Sequence, residues 1–160
     1  MSVISIDQTL LDETSRAAKN SKRNRINHNF HQMDDPVHRF LNAIEPDSYI
    51  RPHRHLTPPK AEIFLILRGR GAILIFDEEG EVTKRVILDP LQGLHGVEVE
   101  AGVMHSILSL EENSVFYEVK QGPYIPMADK DFAPWAPEEN STEAKNYLLG
   151  LREIALKENS

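Results

Sequence analysis

The sequence predicts a mainly β fold, a single sandwich or barrel of many short strands with helices at both ends. Three observations carry this. The chain has 160 residues, of which 40% are hydrophobic, enough to fill one sizeable core and too few for two domains. From Tyr49 to Lys120, short runs rich in Ile, Val, Leu and Phe are broken by Arg68-Gly69, Asp77-Glu78-Glu79-Gly80, Asp89-Pro90 and Glu111-Glu112-Asn113. Helical spacing of apolar residues is confined to the two ends.

At the start, Ser5-Ile6-Asp7-Gln8 has the spacing of a capping box. Ile6, Leu10, Leu11, Ala17 and Ala18 then lie roughly on one stripe, which predicts a helix to about Ala18. The polar, basic stretch Asn20 to Asn29, with Lys22, Arg23 and Arg25, suits a loop or an edge strand. Asp34-Asp35-Pro36 offers an N-cap with proline at the first helical position, and Val37, Phe40, Leu41 and Ile44 follow at i, i+3, i+4 and i+7. A second helix is therefore expected, ending at Glu45-Pro46, where proline pushes its predecessor out of the helical region. Within the strand-rich part, Ile63 to Leu67 and Ala72 to Phe76 alternate poorly, as expected for strands buried on both faces or for packing that periodicity alone does not resolve. Beyond Lys120, Gly122-Pro123-Tyr124-Ile125-Pro126 and Pro134-Trp135-Ala136-Pro137 predict an irregular strap. A last helix is expected from about Ser141, with Ala144, Leu148, Leu151 and Ala155 as its apolar stripe. The expected organisation is a helical extension over 1–47, a β-barrel over 48–120, and a strap and helix over 121–160 packed on the same domain.

Composition removes several classes of function. With 18 basic against 25 acidic residues and a formal net charge of -7, the chain repels phosphate backbones, so nucleic acid is not expected as a partner. The absence of cysteine excludes a disulfide scaffold, thiolate metal sites and cysteine catalysis. The N-terminus lacks a basic region before an apolar stretch, and no apolar run nears the roughly 20 residues that span a bilayer. A cytoplasmic protein with no membrane partner is the expectation.

Chemistry concentrates in Pro52-His53-Arg54-His55, Glu62 and Gly102-Val103-Met104-His105. On a strand, His53 and His55 share a face about 6.6 to 7 Å apart along the backbone, so both imidazoles can converge on one ion. Glu62 could add an oxygen ligand, and His105 opens a later strand. Arg51 and Arg54 alternate with these histidines and should point away as surface cations. His38 is expected on the surface of the second helix, His28 and His31 on either side of Phe30, and His95 in a turn. Arg23 and Arg25 could reach an anionic substrate.

His53, His55, Glu62 and Gly69, followed by Gly102 and His105, resemble the two motifs of the cupin family: His-x-His, a short gap, Glu, six residues, Gly, and then Pro-x-Gly-x-x-His. Here the gap Leu56 to Ala61 is two residues longer than usual, and Glu100 replaces the proline. The resemblance implies a single cupin barrel, also described as a double-stranded β-helix or jelly roll, with His53, His55, Glu62 and His105 as metal ligands. Pro59-Lys60-Ala61-Glu62, Gly122-Pro123-Tyr124 and Asp129-Lys130-Asp131-Phe132-Ala133 are further similar to the WbuC-type cupin metalloproteins, over roughly Asn24 to Glu138. That family implies a divalent metal, a setting in bacterial polysaccharide synthesis, and Lys60 and Tyr124 as substrate-binding residues; the pairing of edge strands common among small cupin barrels implies a homodimer.

Three imidazoles and a carboxylate suit Zn, Fe, Mn, Ni or Co. The leading expectation is a metal-dependent isomerase, epimerase or lyase acting on a sugar or sugar-nucleotide precursor, with Glu62 as ligand or catalytic base. An Fe(II)-dependent dioxygenase and a non-catalytic module that binds or senses a small molecule, possible ligands including a carbohydrate, are the alternatives.

Overall fold

The computed structural model describes residues 3–125 and 130–157. Helix α1 (Gln8–Lys19) leads into β1 (Arg25–Asn29), β2 (Val37–Ile44), β3 (His53–Arg54), β4 (Glu62–Arg68), β5 (Gly71–Phe76), β6 (Val82–Leu88), β7 (Gly96–Val99), β8 (His105–Ser109), β9 (Ser114–Gln121) and β10 (Asp131–Phe132), and α2 (Ala144–Leu156) follows. The strands form two five-stranded sheets, ordered β1-β2-β9-β4-β7 and β10-β3-β8-β5-β6, with antiparallel pairing throughout. This is a mainly β barrel, a double-stranded β-helix with a helix at each end. Pro126 and Asp129 of the expected strap lie outside the described residues.

One helix covers the outside of each sheet. Asp7 caps α1, its carboxylate accepting the Leu10 backbone N–H at 3.0 Å, so the cap sits two residues beyond the Ser5 expected from the sequence. Leu11 and Ala18 of α1 pack on Leu41, Ala43 and Val115 of the first sheet. On the far side, Ala144, Leu148, Leu151 and Ala155 of α2 pack on Ala72, Leu74, Phe76 and Leu108 of the second sheet. Between the sheets lie Ile44, Ile50, Phe64, Ile66, Ile73, Leu88, Ile107 and Phe116. β5 is accordingly buried on both faces, as its run of apolar residues predicts. β4 is not: it alternates, and Ile63, Leu65 and Leu67 face outwards, where they are exposed.

The second helix expected from the sequence is a strand. β2 pairs along its length with β9 and over half of it with β1, so its backbone groups are used in ladders. Phe40, Asn42 and Ile44 face the interior while Leu41 and Ala43 face α1. Burial on both faces erases the alternation that marks a strand, and the remaining apolar positions fall on a helical spacing. The apparent cap at Asp34-Asp35-Pro36 is a turn in which the Asp35 carboxylate accepts the Gln32 N–H at 3.0 Å. Residues 25–44 thus supply two strands of the first sheet, and the helical extension expected over 1–47 is reduced to α1.

The motif glycine Gly69 has φ +76 in the β4–β5 turn, and a Cβ there would overlap Ser114, so both backbone conformation and space require glycine. No helix among the described residues is long and apolar enough to cross a membrane.

Candidate metal centre

Strand pairing assembles the site from distant parts of the chain. β3 lies between β10 and β8, in a register that sets His53 directly opposite His105. His55 follows two residues later on the same side. Glu62 comes from the other sheet, where it opens β4 opposite Lys120 of β9. One ligand atom from each of His53, His55, Glu62 and His105 lies within 4.8 Å of all the others, and all four residues are buried. The structure therefore brings together the four residues singled out in the sequence.

The hydrogen bonds orient the rings. His53 Nδ1 donates to the Arg51 carbonyl at 3.0 Å and His105 Nδ1 to the Val103 carbonyl at 2.9 Å. A carbonyl only accepts, so in the neutral rings each Nε2 turns a lone pair to the centre. His105 Nε2 lies 3.0 Å from Glu62 Oε2 and His55 Nε2 lies 3.1 Å from the same oxygen. A lone pair facing a carboxylate oxygen needs a proton or a metal cation between them, and three imidazoles with one carboxylate are a suitable donor set for a divalent transition metal. Burial lowers the His53 pKa well below its ordinary value, with the nearby charges of Lys130 and His105 adding to the effect, so the ring is held neutral as a ligand must be. For Glu62, burial alone would raise the pKa. Protons on His105 Nε2 and His55 Nε2, donated to the carboxylate, and the charge of Lys120, whose Nζ is 3.5 Å from Oε1, outweigh burial and hold the carboxyl well below the usual range, and a metal cation in place of those protons would act in the same direction.

The cluster opens into a polar cavity of about 270 Å³ between the sheets, lined also by Asn27, His31, His38, Asn42, Glu118 and Lys120. Glu118 is buried, and its Oε1 accepts the Asn42 side-chain N–H at 2.7 Å. Burial, and then the negative charge of Glu62, push its pKa up to about 7 against the opposing hydrogen bond from Asn42. A second groove of about 390 Å³ runs along α2 between Lys22, Arg23, Lys145 and Arg152, and none of the four clustered residues lines it.

Other residues singled out in the sequence are dispersed. Tyr124 lines the cavity at its exposed edge. Lys60 is buried, and its Nζ donates to the Pro123 carbonyl at 2.9 Å, tying the loop before β4 to the strap that carries Tyr124. Arg51 donates to the Ala133 carbonyl, and Arg54 pairs with Asp131 and Glu78, both away from the cluster as their alternation predicts. Arg23 and Arg25 both line the cavity, and Arg25 is buried and paired with Glu139 at 2.6 Å. His28 is exposed beside Phe30, and His95 is exposed in a loop. His38, expected on a helix surface, is 2% exposed. It sits on the inward face of β2, stacked on His31 with ring centroids 4.0 Å apart, because the segment is a strand.

Asn42, Glu118 and Lys120 escaped the sequence reading. For β9 a signal was present, since Phe116, Glu118 and Lys120 alternate onto one face of an apolar strand. For Asn42 the helical reading of its segment hid it.

A double-stranded β-helix barrel with a buried cluster of three histidines and a glutamate defines the class. The family model described as Domain of unknown function (DUF6016) matches residues 6–88, and the chain belongs to that family. No curated protein matches it significantly. Among solved structures, an uncharacterized conserved protein with a double-stranded β-helix domain from Klebsiella pneumoniae is 15% identical, with a TM-score of 0.57 over 83% of this chain and 97% of that one. The capsular polysaccharide assembling protein CapF from Staphylococcus aureus is 19% identical, with a TM-score of 0.54 over 68% of this chain, which spans 31% of CapF's length. KdgF from Halomonas sp. is 14% identical, with a TM-score of 0.50 over 63% of this chain and 82% of that one. At these identities the likeness is one of fold.

Proposed function

We propose that His53, His55, Glu62 and His105 hold one divalent transition metal, and that the protein is a cytoplasmic metal-dependent enzyme acting on a sugar or sugar-nucleotide precursor of bacterial surface polysaccharide. The observation that carries the metal is the set of four buried donor atoms within 4.8 Å, in which histidine nitrogens face a shared carboxylate oxygen. A bound ion would polarise substrate oxygens and stabilise negative charge developing on them. Glu62 acts as a ligand: the Lys120 charge and a bound cation would stabilise the carboxylate and leave it a weak base. Tyr124 meets substrate at the mouth of the cavity, and Lys60 holds the strap that positions it. The substrate class is supported by the resemblance to the WbuC-type cupin metalloproteins and by the fold shared with CapF, a capsular polysaccharide assembling protein. The chain pairs as a homodimer, which would cover the exposed row Ile63, Leu65 and Leu67.

Metal analysis of untagged protein, followed by a screen of sugar phosphates and nucleotide sugars against its Zn, Mn, Ni and Fe forms, tests the reading. Conversion of one compound by a single metal form supports it. Oxygen uptake by the Fe(II) form would replace it with a dioxygenase. Tight binding without chemical change in every form would leave a binding module.

A further inference from the structure

Resting on that reading of the site, we infer that Glu118, oriented by Asn42, is a ligand-contacting group opposite the metal cluster, and that the ligand is a hydroxyl-rich molecule with a single sugar-sized ring in the cavity. Glu118 is 6% exposed and lines the cavity, yet among the described residues it has no ion pair. Its one hydrogen bond there comes from the neutral Asn42 amide, at 2.7 Å to Oε1. A buried carboxylate left in this condition is costly unless something completes its hydrogen bonding.

Among the described residues, no side chain other than Asn42 donates a hydrogen bond to Glu118. Asn42 has its N–H₂ turned to Glu118, and its own Oδ1 is buried without a partner among the described residues, so it adds a second unsatisfied acceptor. Arg25 directs its guanidinium to the Tyr49 carbonyl and to Glu139. Lys120 lies 3.5 Å from Glu62. Two acceptors side by side on one wall of a cavity select a ligand that donates. Because Arg23, Lys120 and Lys130 line the same cavity, hydroxyl groups fit there and an ammonium group would be repelled.

Register gives the spacing. Glu62 is paired with Lys120, and Glu118 with Phe64, so Glu62 and Glu118 are diagonal neighbours on one face, about 7–8 Å apart at their backbones. Glu118 and the cluster residues His53, Glu62 and His105 line the same cavity, so a ligand that fills it meets both. The volume of about 270 Å³ falls just under the ~300–1,000 Å³ of pockets that enclose drug-sized ligands, a size that suits a single sugar ring.

The test is calorimetric titration of the full chain, with and without metal, using aldohexoses, 6-deoxyhexoses, hexuronates and linear diamines of similar length. We expect saturable binding of at least one hydroxylated sugar, weakened at least tenfold in Glu118→Gln, in which a neutral amide replaces the charged acceptor, with metal content unchanged. Should that variant fold poorly, Asn42→Ser, which frees Glu118 from its orienting amide, carries the same expectation. Equal affinity in wild type and variant, binding of diamines alone, or no binding by any compound would overturn the inference. Metal content, measured separately, distinguishes the two readings: protein that takes up no metal but loses sugar binding in Glu118→Gln keeps this subsite and removes the metal centre.

Discussion

Replacing Glu118 with glutamine should stabilise the metal-free protein at alkaline pH and leave it nearly unchanged in acid. The folded structure raises this carboxyl from 4.5 to about 7. A carboxyl with a raised folded pKa binds its proton more tightly in the folded chain than in the unfolded one. Below about 4.5 it is protonated in both states and costs nothing. Between about 4.5 and 7 the unfolded chain ionises first, so stability falls as pH rises, and above 7 the full cost of a buried charge is present. At about 1.4 kcal/mol per pH unit this cost is roughly 3 kcal/mol. Glutamine keeps the shape and can accept the Asn42 N–H, so the variant should gain up to that amount at pH 8.5. For a chain of this size the gain corresponds to about 6–12 °C in thermal midpoint. Urea unfolding of wild type and variant at pH 4, 6 and 8.5, in chelator, reads the difference directly. A stability difference that is the same at all three pH values would refute the argument. Bound metal should shrink the effect, because neutralising Glu62 removes one of the two causes of the raised value.

Other expectations concern the cluster itself. His53→Ala and His105→Ala should each abolish tight metal binding, whereas His38→Ala should keep it and lose only the contact with His31; equal loss in all three, by elemental analysis, would mean the ligand set is wrong. Histidine ligands bind as neutral rings, so metal retention should fall as pH drops and protons compete, and retention unchanged to pH 4 in an equilibrium dialysis series would contradict a three-histidine site. Chelation should lower the thermal midpoint without unfolding the chain at room temperature, since the core between the sheets is built from apolar side chains other than the ligands; circular dichroism showing collapse to coil would make the metal structural. Sedimentation should find a dimer, and a monomer at all concentrations would count against pairing.

What the sequence determined by itself was chemistry carried by local spacing. His53 and His55 share a strand face because strands alternate, and the α2 stripe Ala144, Leu148, Leu151 and Ala155 is buried because helices repeat every 3.6 residues. Glu62, Gly69 and His105 were legible through motifs whose spacing reflects strands that lie together in the barrel. The tertiary structure alone decided whatever depends on which face is covered. β2 has α1 on one side and the barrel interior on the other, so its residues carry no alternation, and its sequence reads as a helix until its neighbours are in place. The same cover turned His38 and Asn42 inward. Asn42 and Glu118 stand 76 positions apart in the chain, and only the pairing of β2 with β9 makes them neighbours. A carboxylate in a strand is an ordinary solvated residue in any one-dimensional reading; burial between two sheets, beside the charge of Glu62, is what raises its pKa and turns it towards the cavity.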